Sequence, residues 1–441
     1  MNNGSLAFPE HFIWGTGTAS HQVEGNNTNN NWYIWEQTAG KIAGGATAGL
    51  ACDWWNGRWK EDLAHAAEDG QNMHRLSIEW SRIEPQPGQW DENALTAYRE
   101  MIKGIRALGL KPMVTLHHFT DPIWIYEQGG WENKKTIEHF TQYVEKAVTA
   151  LQDLVEMWVT INEPDVYVFC GYMSGTFPPG KNDPEAAFRV MANMVRGHAQ
   201  AYHIIHRLQP HAQVGFAKNF RAMAPARAWL LPDRWIKNFS FHNFNDSFAD
   251  TLMNGKFRFI IWKDFIPEAI ATQDFIGVNY YTRDLVKFKL FKPKENFQEA
   301  FYDPRSELSE NGFIATEPIG FYESLEWAQR YHVPIYITEN GVEDSQDRMR
   351  PHYLISHLFQ MGKAIQAGMD IRGYLHWSQI DNFEWERAWT QRFGLWGLDE
   401  ITQKRYRRPS ADIYGEICRS NQLSSELIQR HAPEMLESPR R

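Results

Sequence analysis

Cysteine is scarce in this chain: Cys52, Cys170 and Cys418 are the only three in 441 residues, an odd number with no CxxC spacing. That argues against a disulfide framework and a cysteine-based zinc site, and it predicts a reducing compartment. Long apolar runs are missing too. No window approaches the roughly 18 uninterrupted apolar residues of a membrane span, and Met1 to Glu10 has neither a basic n-region nor an apolar h-region. The expectation is a soluble, cytoplasmic protein with no membrane partner. Positive charge is short as well, 45 Lys and Arg against 54 Asp and Glu for a net −9, which makes nucleic acid an unsuitable partner. Low-complexity sequence is confined to the Asn-rich stretch Asn26 to Asn31, read as a loop, and no repeat of fixed period occurs.

What the chain has is apolar and aromatic content: 43% hydrophobic residues, 14% aromatic, with 19 Trp. Flat apolar rings suit the CH-rich faces of sugars, although most large aromatics serve cores. Eight short β-like runs recur: Phe12 to Gly17, Met73 to Ile78, Pro112 to His117, Met157 to Asn162, Gln213 to Ala217, Phe275 to Tyr280, Ile335 to Glu339 and Tyr374 to Ser378. Between them lie helical periodicities, such as Leu95, Tyr98, Ile102, Ile105 and Ile137, Phe140, Val144, Val148, Leu151. Alternating β and α elements predict a parallel sheet, and eight units are the number that closes a barrel. No linker or composition shift divides the sequence. The expectation is one (β/α)8 TIM barrel, α/β in class, over residues 1–441. Its long βα loops, 219–274 and 283–322, would build a pocket. The tail from Gln422 reads as a packed helix with a frayed Arg-Arg end.

Two carboxylates end two of these strands, Glu163 in Thr160-Ile161-Asn162-Glu163-Pro164 and Glu339 in Ile337-Thr338-Glu339-Asn340-Gly341. Each is followed within two residues by a strand breaker. In a parallel barrel both face the same edge, where working groups collect. Two meeting carboxyls can cleave a glycosidic bond: at roughly 5–5.5 Å one attacks directly and configuration is retained, whereas roughly 6.5–9.5 Å admits a water and inverts it.

The surroundings of the two glutamates closely resemble the two catalytic motifs of glycoside hydrolase family 1, the retaining β-glucosidases and β-galactosidases. Phe12-Ile13-Trp14-Gly15 with Ala19 to Gly25, His74 to Ile83, Val278-Asn279-Tyr280-Tyr281 and Asp381-Asn382-Phe383-Glu384-Trp385 resemble further blocks of that family, in order, from Phe8 to about Tyr414. The resemblance implies Glu163 as acid/base and Glu339 as nucleophile. It implies supporting roles for Arg75 and Tyr281, which would hold Glu339 ionised, for Asn162 toward the sugar 2-hydroxyl, and for Asn279. Sugar recognition would fall to Gln22, His118, Phe119, Trp377, Glu384 and Trp385. No cofactor or metal is implied, and the partners are small β-glycosides or oligosaccharides. Glu163 lacks a cation in this arrangement and faces the charge of Glu339, so it should be the protonated member.

Details narrow the expectation. A carboxylate at Glu384 would repel a 6-phosphate, and the presence of Glu163 points away from thioglucosidases. The chain reads His118-Phe119 where many members read His-Trp, which leaves glucose against galactose or fucose preference open. Phe169, Tyr172, the stretch 219–244 and Phe313 are candidates for the acceptor side. His117-His118 lacks neighbours with metal-ligand spacing, and Gly15-Thr16-Gly17 lacks the third glycine of a dinucleotide loop. The expected activity is a retaining exo-β-glucosidase with β-galactosidase, β-fucosidase and transglycosylation side activity. The alternative is a catalytically silent sugar-binding relative.

Overall fold

The structure, a computed structural model, describes residues 5–292 and 297–437. Nine strands form one sheet: β1 Ile13–Gly17, β2 Met73–Ser77, β3 Lys111–His117, β4 Met157–Asn162, β5 Gln213–Pro225, β6 Phe275–Phe288, β7 Gln298–Phe301, β8 Ile335–Asn340 and β9 Ile371–His376. The sheet runs β7-β6-β8-β9-β1-β2-β3-β4-β5, and β5 also pairs with β6, so the eight parallel strands close on themselves. Helices fill the intervals, as the fold requires for a sheet buried on both faces.

The burial pattern explains why the strands read as unbroken apolar runs. Met157–Asn162 and Ile335–Asn340 are buried at every position. Inside the barrel Met73, Met113, Met157, Val159, Phe275, Tyr336 and Leu375 pack as a plug, and a larger core fills the space between strands and helices. The helix Lys135–Leu151 shows how that outer layer is coded: Ile137, Phe140, Val144, Ala147, Val148 and Leu151 recur at helical spacing and are buried. Each of the Ile, Phe, Val and Leu side chains contributes roughly 1.5–3 kcal/mol of transfer free energy. Starts are set by caps. Asp91 accepts from the amides of Asn93 and Ala94 ahead of Glu92–Ala107, and Asp183 from Glu185 and Ala186 ahead of the proline-led helix Pro184–Leu208.

Three strands depart from expectation. β5 and β6 have 13 and 14 residues and run past the barrel rim as a paired ribbon, Ala222 opposite Arg283 through Pro225 opposite Val286. A register shift between Phe220 and Ala222 marks a bulge at the rim, and β7 adds antiparallel to the outer part of β6. Part of each long loop is therefore sheet, and the first also carries the helices Leu231–Phe241 and Ser247–Asn254. β9 begins at Ile371, three residues earlier than expected, since exposed Arg372 and Gly373 hid its start. The tail forms the helix Ser425–His431, capped by Ser424, with Leu427 and Ile428 buried; Leu423 pairs with Leu6. Arg440 and Arg441 lie outside the described residues. Among the described residues no helix is long and apolar enough to cross a membrane.

Candidate active site

Strand ends on one rim carry the expected residues. Arg75 comes from β2, Asn162 and Glu163 from the end of β4, Asn279 and Tyr281 from β6, and Glu339 from β8. Glu163, Tyr281 and Glu339 line one cavity of about 500 Å³ together with His118, Phe119, Trp377, Glu384 and Trp385. Gln22, Arg75, Asn162 and Asn279 are buried and hydrogen-bonded to groups of this set. All twelve expected site residues therefore meet in one place.

The two glutamates sit in opposite electrostatic settings. Glu339 Oε1 accepts from Arg75 at 2.7 Å and Oε2 from the Tyr281 hydroxyl at 2.6 Å. Glu163 Oε1 accepts only neutral amides, Asn279 at 2.7 Å and Asn219 at 3.0 Å. Burial, the charge of Glu339 and the charge of Asp165 push the Glu163 carboxyl well above the usual range. Burial raises Glu339 as well, against the lowering pull of Arg75 and Tyr281. Charge pairing with Arg75 and the Tyr281 hydrogen bond thus limit the rise at Glu339 but do not reverse it. Of the two carboxyls, Glu163 is pushed up further and is the one disposed to hold a proton.

Asn162 ties the set together. Its Oδ1 accepts from Arg75 at 2.6 Å and Asn279 at 3.2 Å, and its amide faces His118 Nε2 at 3.0 Å. Burial and Arg75 drive the His118 pKa well below its ordinary value, so the ring stays neutral. On the opposite wall the Gln22 amide donates to Asn382, to the Phe383 carbonyl and to Glu384 Oε2 at 2.9 Å, while Gln22 Oε1 has no partner among the described residues. Glu384 is pushed up to about 8, first by burial and then by Glu386. Near neutrality it carries a proton and presents both donor and acceptor. Trp385 stacks on His21 and His118, with centroids 5.7 and 5.9 Å apart, and Phe119 meets it edge-on at 5.1 Å. Trp32 packs behind Trp385 at 4.6 Å, out of the cavity. Phe119, Glu163 and Trp385 all adopt positive φ, at 67°, 43° and 49°.

Some functional geometry escaped the sequence reading. Asn219 was only part of a candidate stretch, yet it contacts Glu163 directly. Lys218, beside it, forms a fully buried ion pair with Asp165 at 2.9 Å. Both lie in the stretch of β5 that continues past the expected strand end at Ala217. Of the acceptor-side candidates, Phe169 and Phe313 line the cavity, whereas Tyr172 is buried outside it. His117 is engaged by Asp121 and Trp131. His242, Asp246 and Asp250 approach one another closely enough to hold a metal ion, but Arg330 reaches Asp246 at 3.1 Å and Asp250 at 3.5 Å and already supplies cationic charge there.

A closed parallel barrel with two buried, differently tuned glutamates on one rim is the arrangement of a glycoside hydrolase, and comparison with known proteins bears this out. Residues 5–423 match Glycosyl hydrolase family 1, and the chain belongs to that family. It is 32% identical to Beta-glucosidase A of Thermotoga maritima, over 94% of this chain and 98% of that one, and 31% identical to the Beta-galactosidase of Pyrococcus woesei, over 95% and 98%. Its fold matches a beta-glycosidase from Pyrococcus horikoshii with TM-score 0.91 at 38% identity, covering 97% of this chain and 98% of that one. It also matches the Thermotoga maritima beta-glucosidase in complex with glucoimidazole, TM-score 0.88 at 31% identity, covering 94% and 99%. The protein is a β-glycosidase.

Proposed function

We propose that this chain is a single catalytic domain acting as a retaining, exo-acting β-glycosidase on terminal nonreducing β-D-glucosyl residues, with β-galactosidase, β-fucosidase and transglycosylation side activity. One observation carries the reading: two glutamates line one cavity, one held by a cation and a phenol, the other by neutral amides alone. Glu339 attacks the anomeric carbon as Glu163 gives its proton to the leaving oxygen, and a glycosyl ester on Glu339 results. Esterification removes the charge of Glu339, so the proton affinity of Glu163 drops and it takes a proton from the incoming water. That water attacks the anomeric carbon, the ester bond breaks, and Glu339 regains its electron pair.

Gln22, His118 and Glu384 supply polar contacts to the sugar, with Trp377 and Trp385 as the apolar wall. Asn162, oriented by Arg75, presents its amide toward the 2-hydroxyl. Two arginines that line the cavity, Arg221 and Arg387, already face Asp284 and Glu386, which supports an unphosphorylated sugar. Both glutamates and their partners are in place, so the silent-relative alternative has no support. We further propose a cytoplasmic location, consistent with three free cysteines.

The test is an assay of the purified chain, Glu339→Gln and Glu163→Gln on nitrophenyl β-glycosides. Glu339→Gln is expected to be inactive and not to be trapped by a 2-fluoro glycoside. Glu163→Gln is expected to regain turnover with azide on substrates with good leaving groups. Covalent trapping of Glu339→Gln at residue 339, or no hydrolysis of any β-glycoside by the wild type, overturns the reading.

A further inference from the structure

The turn that carries Glu163 is fastened to β5 at three points. The Glu163 backbone amide donates to the Ala217 carbonyl at 2.8 Å, the Asn219 side chain donates to Glu163 Oε1 at 3.0 Å, and between them the Lys218 ammonium reaches Asp165 Oδ2 at 2.9 Å. Alternation along β5 sends Asn219 to the cavity and Lys218 to the other side of the strand, where it meets Asp165 of the helix Pro164–Val168 that begins directly after Glu163. Lys218 also donates to the carbonyl of Asn219 and lies 4.6 Å from the centroid of the Phe244 ring. One ammonium thus grips both the residue two places after Glu163 and the residue that bonds its carboxyl.

Stability does not call for charges at these positions. The two side chains are 0% and 1% exposed, and exchanging a buried ion pair for apolar groups of similar volume is often neutral or stabilising. What charges add is a fixed direction, and here there is something to direct. Glu163 sits at a φ of 43°, a strained conformation that persists only where the surroundings impose it. Its carbonyl accepts from the Tyr167 amide at 3.0 Å, so the helix Pro164–Val168 holds the turn on one side as β5 holds it on the other. The Asp165 charge also adds, after burial and Glu339, to the upward push on the Glu163 carboxyl.

We propose that the Lys218–Asp165 pair is a positioning clamp for the acid/base, locking helix to strand so that Glu163 meets the leaving oxygen with its proton. The inference rests on the glycosidase reading of Glu163 and Glu339. Neither Lys218 nor Asp165 lines the cavity, so their influence on turnover passes through Glu163 and Asn219. A misplacement of about 1 Å costs about a hundredfold in rate, and here it would fall on the proton transfer. A leaving group acidic enough to depart without a proton would not sense it.

The experiment measures kcat/KM of the full chain for phenyl β-D-glucoside, whose phenol needs a proton to leave, and for 2,4-dinitrophenyl β-D-glucoside, whose phenol does not. The variants are Lys218→Met with Asp165→Leu, which keeps the site filled without charge, and Asp165→Asn, which removes one charge at nearly constant shape; thermal unfolding checks the fold of both. The paired variant is expected to lose at least about tenfold on the phenyl glucoside and less than about threefold on the dinitrophenyl glucoside, with the same selectivity at smaller size in Asp165→Asn. Equal losses on the two substrates, no loss on either, or failure of both variants to fold overturns the proposal and leaves the pair a structural one. If the wild type does not hydrolyse even the dinitrophenyl glucoside, the catalytic reading falls and this one with it.

Discussion

Replacing Tyr281 by Phe isolates one term in the balance between the two glutamates. The hydroxyl donates to Glu339 Oε2 at 2.6 Å, with Glu339 buried in the cavity floor and Tyr281 half-buried beside it. A hydrogen bond to a charged group contributes about 1.5–3 kcal/mol. At about 1.36 kcal/mol per unit, its loss raises the pKa of Glu339 by about one to two units. The sign follows from the role: Glu339 acts only when ionised, so a higher pKa removes activity from the acid side. The acidic limb of kcat/KM should therefore move up by about one to two pH units, while Arg75 stays paired at 2.7 Å. The basic limb belongs to Glu163, whose partners are Asn219 and Asn279. Above the acidic limb the charge of Glu339 is unchanged, so the basic limb should stay in place. The assay is initial-rate kcat/KM for a nitrophenyl β-glucoside across the pH range, with thermal unfolding as a control for fold. An unmoved acidic limb in a stably folded variant, or a basic limb that moves by as much, would refute the assignment.

Asn219→Ala removes one of two donors to Glu163 and disfavours its ionised form, so the basic limb should rise by about one unit in the same pH series. Lys218→Met leaves Asp165 buried without its cation and should cost about 3–5 kcal/mol in denaturant unfolding, whereas Lys218→Met with Asp165→Leu should recover most of that loss. A Cβ on Gly341 would lie 1.9 Å from the Trp377 carbonyl oxygen, so Gly341→Ala should displace the Trp377 wall and lower kcat/KM more than tenfold with helix content intact by circular dichroism. Asp183→Ala, which loses only a helix cap, should cost about 1 kcal/mol in unfolding and leave kcat/KM unchanged.

The barrel was legible because its strands are short and buried on both sides, which leaves an apolar run of five or six residues followed by a breaker. Glu163 and Glu339 stood out because each ends such a run. Their division of labour was less legible from the residues alone. Arg75 and Glu339 are 264 positions apart and meet only because β2 and β8 end on the same rim. The ribbon of β5 and β6 past the rim was hidden for a different reason. In Arg221-Ala222-Met223 and Asp284-Leu285-Val286 burial alternates as in a two-sided ribbon while residue type does not, and they lie in segments rich in Trp, Phe, Lys and Asn that read as loop. Asn219 and the Lys218–Asp165 pair follow from that ribbon and could not be placed without it. Glu384 shows the limit of residue type as a guide: a carboxylate in sequence, it is held near half-protonation at a pH of about 8 by its burial.

The positive φ angles of Phe119, Glu163 and Trp385 bear on how this protein can change. For a residue with a Cβ that backbone region costs about 1–2 kcal/mol, and Glu163 adds a buried carboxyl to the strain. Glycine would relieve both at position 163 and abolish the proton donor. Selection for heat resistance alone would therefore favour changes at the catalytic rim that cost activity. A screen for thermostable variants of this enzyme has to score turnover alongside melting, or its best melters will be its dead ones.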